Sequence, residues 1–362
     1  MTEKPHICLI YTGGTIAMEL KKKDGQMVLE PPDDPKDFLT RLAPELDQMV
    51  TYDFVVPTMS DGKPLNKDST NMNPTDWKLM ADTVKMRMRK YDGFVIAHGT
   101  DTMHFSATAL AFAFGENLNF PIVFTGAQTN PSVAHGDARI NLVRACKVAG
   151  ENLAEVVICF DDNIFRGCRC QKKDEKRFDA FESPAFSPIG YMGESIESTS
   201  DWRRKRPDRG LPDYEPDFEE GIFVVTLIPG LEPEFIETIV EKESCKALIL
   251  QSFGAGNVPT YGDYSFIPLI KKATDKRKPV VIASQFPGHS ARDSIYETGV
   301  EAHKAGGILT GNMTSAAAVV KLRWALRRKE VLEGNPEERV QDVGAIMQRP
   351  YVGEMDPIQV GD

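Results

Sequence analysis

Short unbroken apolar runs alternate along this chain with longer stretches in which apolar residues recur at helical spacing. The runs Ile7–Tyr11, Gly93–Ala97, Ile122–Thr125, Val156–Phe160, Ile222–Ile228, Ala247–Gln251 and Val280–Ser284 are mostly β-branched and bounded by Gly, Pro or Asp. That is the pattern of buried strands. Helices are predicted from Asn73 to about Lys90 and over Ser106–Phe114, Asp137–Ala149, Glu234–Lys242, Tyr264–Thr274 and Ser315–Arg328. Asn73-Pro74-Thr75-Asp76 opens the first of these, with Asn as cap and Pro at the first helical position. Strand–helix alternation with continuous apolar strands predicts an α/β fold, a parallel sheet covered on both faces.

Ser198–Glu220 breaks this rhythm. It carries Arg203-Arg204-Lys205-Arg206, then Pro207, Pro212 and Pro216, with almost no apolar periodicity. It reads as an interdomain linker between an N-terminal domain over 1–197 and a C-terminal domain over 221–362. The basic tetrad reads as a solvated linker charge run in preference to a nucleic-acid or nuclear address. No internal repeat and no low-complexity tract stands out.

Composition narrows the function classes. The 362 residues suggest two or perhaps three domains, and 41% hydrophobic with 27% charged residues is ordinary for a globular protein. A net charge of −10 argues against broad nucleic-acid or anionic-membrane binding. No apolar run reaches the roughly 18 residues of a membrane span. Ile7–Tyr11 is too short for a secretory core, which needs about 7–15 residues. Six cysteines are not a disulfide framework in a chain of this length. The Cys168/Cys170 pair has no partner pair at zinc-ligand spacing. The expectation is a cytoplasmic protein with free thiols, no metal and no cofactor.

Two loops carry candidate chemistry. Tyr11-Thr12-Gly13-Gly14-Thr15-Ile16-Ala17 follows the first strand, and Ala97-His98-Gly99-Thr100-Asp101-Thr102 follows a second. Ligands of parallel sheets bind beyond the C-terminal strand ends, so both loops lie where a site belongs. The first also reads as a structural turn or a phosphate cradle, although the full glycine fingerprint and the Walker lysine are missing. In the second, Asp101 also reads as a helix cap and His98 as a packed histidine. Thr is a poor nucleophile at its free pKa and needs a base or a neighbouring cation. That requirement directs attention to Arg166-Gly167-Cys168-Arg169-Cys170-Gln171-Lys172-Lys173 and the following Phe178-Asp179-Ala180-Phe181-Glu182-Ser183-Pro184.

With these segments the chain resembles the bacterial-type L-asparaginases, and its TGGTIA, HGTDTM and RGxRxxK…FDAFxSP segments fit the type I, cytoplasmic branch. The resemblance extends over about residues 5–330. It includes Asp68-Ser69-Thr70-Asn71-Met72, Thr125-Gly126-Ala127-Gln128, Gly254-Ala255-Gly256-Asn257 and Asn312-Met313-Thr314. It implies a larger N-terminal parallel-sheet domain, flavodoxin- or Rossmann-like, and a smaller C-terminal α/β domain. The implied activity is hydrolysis of L-asparagine to L-aspartate and ammonia.

Residue by residue, the resemblance implies that Thr15 is the nucleophile attacking the side-chain amide carbon. Thr100, Asp101 and Lys172 correspond to the second, charged group, in which the lysine cation lowers the pKa of the Thr100 hydroxyl. Asp101 matches the carboxylate that receives the substrate's α-ammonium group. Ser69 matches the residue holding its α-carboxylate, with Thr70 beside it. Ala127 would offer its carbonyl near the leaving amide. Backbone N–H groups around Gly14–Thr15 and Gly99–Thr100 are candidate oxyanion donors. Asn257 matches a position that approaches from a neighbouring subunit, and the implied assembly is a homotetramer of two dimers.

The chain departs from the family at several positions. No tyrosine lies between Tyr11 and Tyr52, so Gln26 or Met27 stands where a loop tyrosine is usual, beyond the solvated run Lys21–Lys23. Asn71 replaces a usual acidic residue, and Gln251 stands where a relative has an effector-binding arginine. Alternatives on the same scaffold are the amidase subunit of a tRNA-dependent amidotransferase and a non-catalytic amino-acid sensor. A nucleotide-binding oxidoreductase rests on fold-level analogy alone, since Gly254-Ala255-Gly256 lacks the third glycine of the fingerprint and follows a strand too late in the chain.

Overall fold

The computed structural model describes residues 3–23, 25–30, 32, 34–286, 288 and 297–357. They divide into two compact units, one over residues 1–183 and 187–216, the other over 184–186 and 217–362.

The first unit is built on an eight-stranded sheet. Its five parallel strands lie in the order Val156–Phe160, Ile122–Thr125, Gly93–Ala97, His6–Tyr11, Thr51–Val55. The first strand therefore lies between the second and third of the five, the flavodoxin-like arrangement, with its switch point between His6–Tyr11 and Gly93–Ala97. These two strands pair in register from Ile7 with Gly93 to Tyr11 with Ala97. Their following loops consequently emerge at one level. Beyond Phe160 the chain turns back through Asp161, at φ 52°, into the antiparallel strand Asn163–Arg166, and Gly190–Met192 and Ile196–Ser198 complete that edge.

The helix Pro74–Lys85 begins as its sequence predicts, and the Asn73 and Asp76 side chains each accept from the other's backbone N–H. Met103–Phe114 starts three residues earlier than the sequence reading and buries ten of its twelve residues. A helix apolar on every side is a core helix. Several strands escaped the apolar-run criterion, among them an edge strand and both strands of a hairpin. Thr51–Val55 carries Asp53 at the sheet edge, where Lys90 and Tyr91 bond its carboxylate. Glu19–Lys23 and Gln26–Glu30 form a hairpin from the charged run read as a loop, with Gly25 at φ 85° in the turn. Strand pairing satisfies their backbone groups without requiring two buried faces.

The segment read as a linker is tied to the first unit over much of its length. Trp202 Nε1 donates to Asn152 O at 2.9 Å, Arg206 N to Asn119 Oδ1 at 2.8 Å and Tyr214 O–H to Asp82 Oδ1 at 2.6 Å. Within the basic tetrad, Lys205 Nζ donates to Asp92 O at 2.9 Å.

The second unit contains a four-stranded parallel sheet, Ile222–Thr226, Ala247–Ser252, Val280–Ser284 and Gly307–Leu309, in sequence order. Leu248, Leu250, Val280 and Ile282 from its strands pack with Phe266, Leu269 and Ile270 in a core without solvent exposure. Toward the C-terminus, Lys321 and Glu354 are both fully buried and meet at 2.6 Å. Lys321 Nζ also donates to Met347 O and Arg349 O, while Glu354 accepts from the N–H groups of Tyr351 and Val352.

Candidate active site

The site begins where two glycine turns touch. Gly13 and Gly14 have φ of 114° and 89°. A Cβ on Gly14 would stand 2.4 Å from Gly99 N, and one on Gly13 would stand 2.2 Å from Lys67 O. A Cβ on Gly99 would in turn stand 2.7 Å from Ser69 Oγ. Only side-chain-free residues allow three loops to approach this closely. Gly14 and Gly99 are thus in backbone contact, and Thr15 and Thr100 are the next residues along their loops. Thr15 is half-buried and opens a one-turn 3₁₀ segment ending at Ala17.

Thr12, a hydroxyl the sequence also places at the strand end, is fully buried and donates through both N and Oγ1 to Ala97 O. Its hydroxyl holds the two strand ends together. Lys67 N donates to Thr12 O, and Lys67 Nζ binds the buried Asp76 carboxylate at 2.7 and 2.8 Å. This anchors the loop that carries Ser69.

The charged half of the site is a contiguous cluster. Lys172 Nζ donates to Thr100 Oγ1 at 2.8 Å and to Asp101 Oδ1 at 2.6 Å. Lys172 is held by a short antiparallel pairing in which it faces Phe181. Its side chain is 14% exposed, whereas that of Asp101 is 54% exposed. The lysine is therefore the sheltered partner, and the carboxylate has an open side. An ammonium in contact with Thr100 Oγ1 stabilises negative charge on that oxygen.

His98 belongs to the supporting structure. Its Nδ1 lies 2.7 Å from Gly99 O and its Nε2 2.9 Å from Ser106 Oγ. A carbonyl only accepts, so Nδ1 carries the proton and Nε2 accepts from Ser106. Complete burial pushes its pKa down to about 4, so the ring is neutral near pH 7. It locks the turn at Gly99 and takes the packed-histidine reading.

The other predicted positions have distinct surroundings. Ser69 is buried, and its carbonyl accepts from Thr102 Oγ1 at 2.6 Å. Thr70 is exposed, and its N–H and hydroxyl both donate to Asp68 Oδ1 at 2.8 Å, holding that carboxyl below its usual pKa. Ala127 is buried in a loop shaped by Asp137, which accepts from Gln128 N, Thr129 N and Thr129 Oγ1. Asn257 is a residue of the second unit, and its Oδ1 accepts from Thr298 Oγ1 at 3.0 Å. Gln251, also there, accepts from Thr226 Oγ1 and donates to Ser315 Oγ. Gln26 and Met27 form the near side of the hairpin turn, and both are exposed.

Two contributors lay within the sequence motifs without an assigned role. Gln128 Oε1 accepts from Thr100 Oγ1 at 3.1 Å, and Asp137 holds the Gln128 backbone. Gln128 is the last residue of the quoted Thr125-Gly126-Ala127-Gln128 segment. The CxC residues contribute no reactive thiol here: Cys168 and Cys170 are buried, and burial pushes the Cys170 thiol well above its ordinary pKa.

The family described as "Asparaginase, N-terminal" matches residues 6–204, and "Glutaminase/Asparaginase C-terminal domain" matches residues 221–334. The chain belongs to the asparaginase family of hydrolases. It is similar to L-asparaginase 1 of Escherichia coli K12, with 33% identity over 90% of this chain and 93% of that protein. It is also similar to a glutamyl-tRNA(Gln) amidotransferase subunit of Archaeoglobus fulgidus, with 30% identity over 98% of this chain and 80% of that protein. The crystal structure of L-asparaginase I from Vibrio cholerae superposes with a TM-score of 0.82 at 32% identity, covering 98% of this chain and all of that one. Among the described residues, no helix is long and apolar enough to cross a membrane.

Proposed function

We propose that this protein is an L-asparagine amidohydrolase, converting L-asparagine and water to L-aspartate and ammonia. The observation that carries the proposal is the Lys172 ammonium bonded at once to the Thr100 hydroxyl and the Asp101 carboxylate. The contact between Gly14 and Gly99 supports it, because it links the Thr15 and Thr100 loops.

In this reading the α-ammonium group of asparagine binds the open side of Asp101, and Ser69 serves the α-carboxylate. Thr15 Oγ1 attacks the side-chain amide carbon with its hydroxyl oriented by a hydrogen bond to Thr100 Oγ1, and the Lys172 cation stabilises the negative charge that develops around the two hydroxyls. Backbone N–H groups of the two glycine turns would stabilise the tetrahedral oxyanion, and losing one such donor typically costs about 3–4 kcal/mol. Collapse transfers the Thr15 proton to the leaving nitrogen, expels ammonia and leaves a β-aspartyl ester on Thr15. Water then attacks the ester, releasing L-aspartate and restoring the hydroxyl. The family resemblance extends the proposal to a cytoplasmic homotetramer in which Asn257 approaches a neighbouring subunit's site.

The test is ammonia release from L-asparagine, L-glutamine and D-asparagine by wild type and Thr15→Ala. Turnover of L-asparagine that disappears in the variant is expected, whereas an unchanged rate removes Thr15 as nucleophile. The similarity to the amidotransferase subunit supports a second reading, ammonia supply to a tRNA-linked reaction. Release by the purified chain without ATP, tRNA or a partner protein favours the hydrolase.

A further inference from the structure

Gln128 stands between the catalytic hydroxyl and the turn that follows the lysine. We infer that Gln128 is a positioning residue that fixes the rotation of the Thr100 hydroxyl, keeping one lone pair of that oxygen directed toward the reacting group. This rests on the function proposed above.

A threonine hydroxyl has one proton and two lone pairs. At Thr100, Lys172 has only protons to offer and occupies one lone pair at 2.8 Å. Gln128 Oε1 receives the hydroxyl proton at 3.1 Å. One lone pair therefore remains, and through it Thr100 can accept a hydrogen bond that orients the hydroxyl of Thr15 or a water molecule. The carboxamide cannot reverse its ends. Gln128 Nε2 lies 3.3 Å from Asp174 O and 3.2 Å from Arg177 O, and carbonyl oxygens accept without donating. Nitrogen must face these carbonyls, so oxygen must face Thr100.

The backbone beneath is equally constrained. Gln128 N donates to Asp137 Oδ2 at 2.9 Å, and Asp137 is buried. Asn141 Nδ2 donates to the same carboxylate and to Gly126 O. One side chain thus joins Thr100 to the turn just beyond Lys172. Without the Gln128 oxygen, the Thr100 proton has no fixed acceptor and can swing toward the substrate. Thr100 would then donate a hydrogen bond where orienting Thr15 or water requires it to accept one. Asp101 and Ser69, which serve the substrate ends, would be unaffected.

The test compares ammonia release from L-asparagine by wild type, Gln128→Met and Gln128→Glu, with a melting curve for each. Gln128→Met keeps the length and loses the acceptor. Its kcat is expected to fall about 10- to 100-fold, as for a misplaced reacting group, while KM changes less than about threefold. Gln128→Glu reproduces the glutamine pattern only when protonated, with its O–H on a carbonyl and its C=O toward Thr100. Ionised, it faces two carbonyl oxygens and draws Lys172 from Thr100. The kcat ratio of Gln128→Glu to wild type should therefore fall at least about tenfold between about pH 5 and pH 8 as the carboxyl titrates. Wild-type kcat in Gln128→Met overturns the inference, as does a pH-independent Gln128→Glu ratio. A parallel loss of kcat, KM and melting temperature would assign Gln128 a purely structural role. Wild-type protein without turnover would overturn the functional reading itself, and the inference with it; turnover with an unaffected Gln128→Met would overturn the inference alone.

Discussion

Lys172 Nζ lies 2.8 Å from Thr100 Oγ1, although 72 positions separate the two residues in sequence. The same ammonium reaches Asp101 at 2.6 Å, so a single cation serves both a hydroxyl and the residue beside it. Removing that cation while keeping its aliphatic bulk tests its chemical role directly.

Lys172→Met should lower kcat for ammonia release by about 10²- to 10⁴-fold, the usual range for a group acting on proton transfer. The melting temperature should remain near that of wild type, because the pairing of residues 171–172 with 181–182 uses backbone groups. A collapsed melting temperature would make the lysine a structural residue.

Gly14→Ala tests the close approach of the two loops. Gly14 has φ 89° and ψ 165°, a region essentially restricted to glycine. Backbone strain alone costs about 1–3 kcal/mol. The added Cβ would also stand 2.4 Å from Gly99 N. Thermal denaturation should show a lower midpoint, and activity should fall as the Thr15 and Thr100 loops separate.

The buried pair Lys321–Glu354 should respond asymmetrically to substitution. Lys321→Met leaves a carboxylate uncompensated in the core and should destabilise by about 3–5 kcal/mol. The double change Lys321→Met, Glu354→Leu should cost much less, because two well-packed apolar groups can replace a buried pair. Denaturant midpoints of the two variants provide the comparison; equal losses would show that packing, and not the uncompensated charge, sets the cost.

Buried His98 predicts a pH dependence of stability. Its folded pKa, about 4, lies below the ordinary value of 6.5, so the unfolded chain binds more protons between these values. The contribution is fully present above about pH 6.5, declines as pH falls toward 4, and changes little below that. Its magnitude is about 3 kcal/mol for this shift. His104 is lowered to about 4 by burial and then by the Lys172 charge, and it acts in the same direction. Melting curves from pH 7 to pH 4 should show the decline, and His98→Gln should flatten it. An unaltered profile in that variant would assign the acid sensitivity elsewhere.

The apolar runs identified four of the five parallel strands of the first unit and three of the four in the second, because a strand covered on both faces needs continuous apolar residues; the three-residue strand Gly307–Leu309 was too short to register. The hairpin at 19–30 and the edge strand Thr51–Val55 lacked that signal, since solvent or polar partners meet one side of each. The segment 198–216 lacked apolar periodicity, yet isolated hydrogen bonds attach it to the first unit. Such contacts leave no repeating pattern in a sequence.

By itself, the sequence determined most of the strand–helix order, the glycine turns and the capped helix at Asn73, while the family resemblance supplied the expectation for Thr15, Ser69, Thr100, Asp101 and Lys172. The strands, turns and cap are local features, set by periodicity, backbone freedom and side-chain chemistry. Only the tertiary structure decided that Gly14 lies against Gly99, that Lys172 reaches Thr100, and that Gln128, 28 residues from Thr100, receives its proton. It also decided that Thr12 and His98 hold the site's framework together. Parallel strand pairing brings the loops after His6–Tyr11, Gly93–Ala97 and Ile122–Thr125 to the C-terminal end of the sheet, and a hydrogen bond depends on where atoms meet rather than on their spacing along the chain.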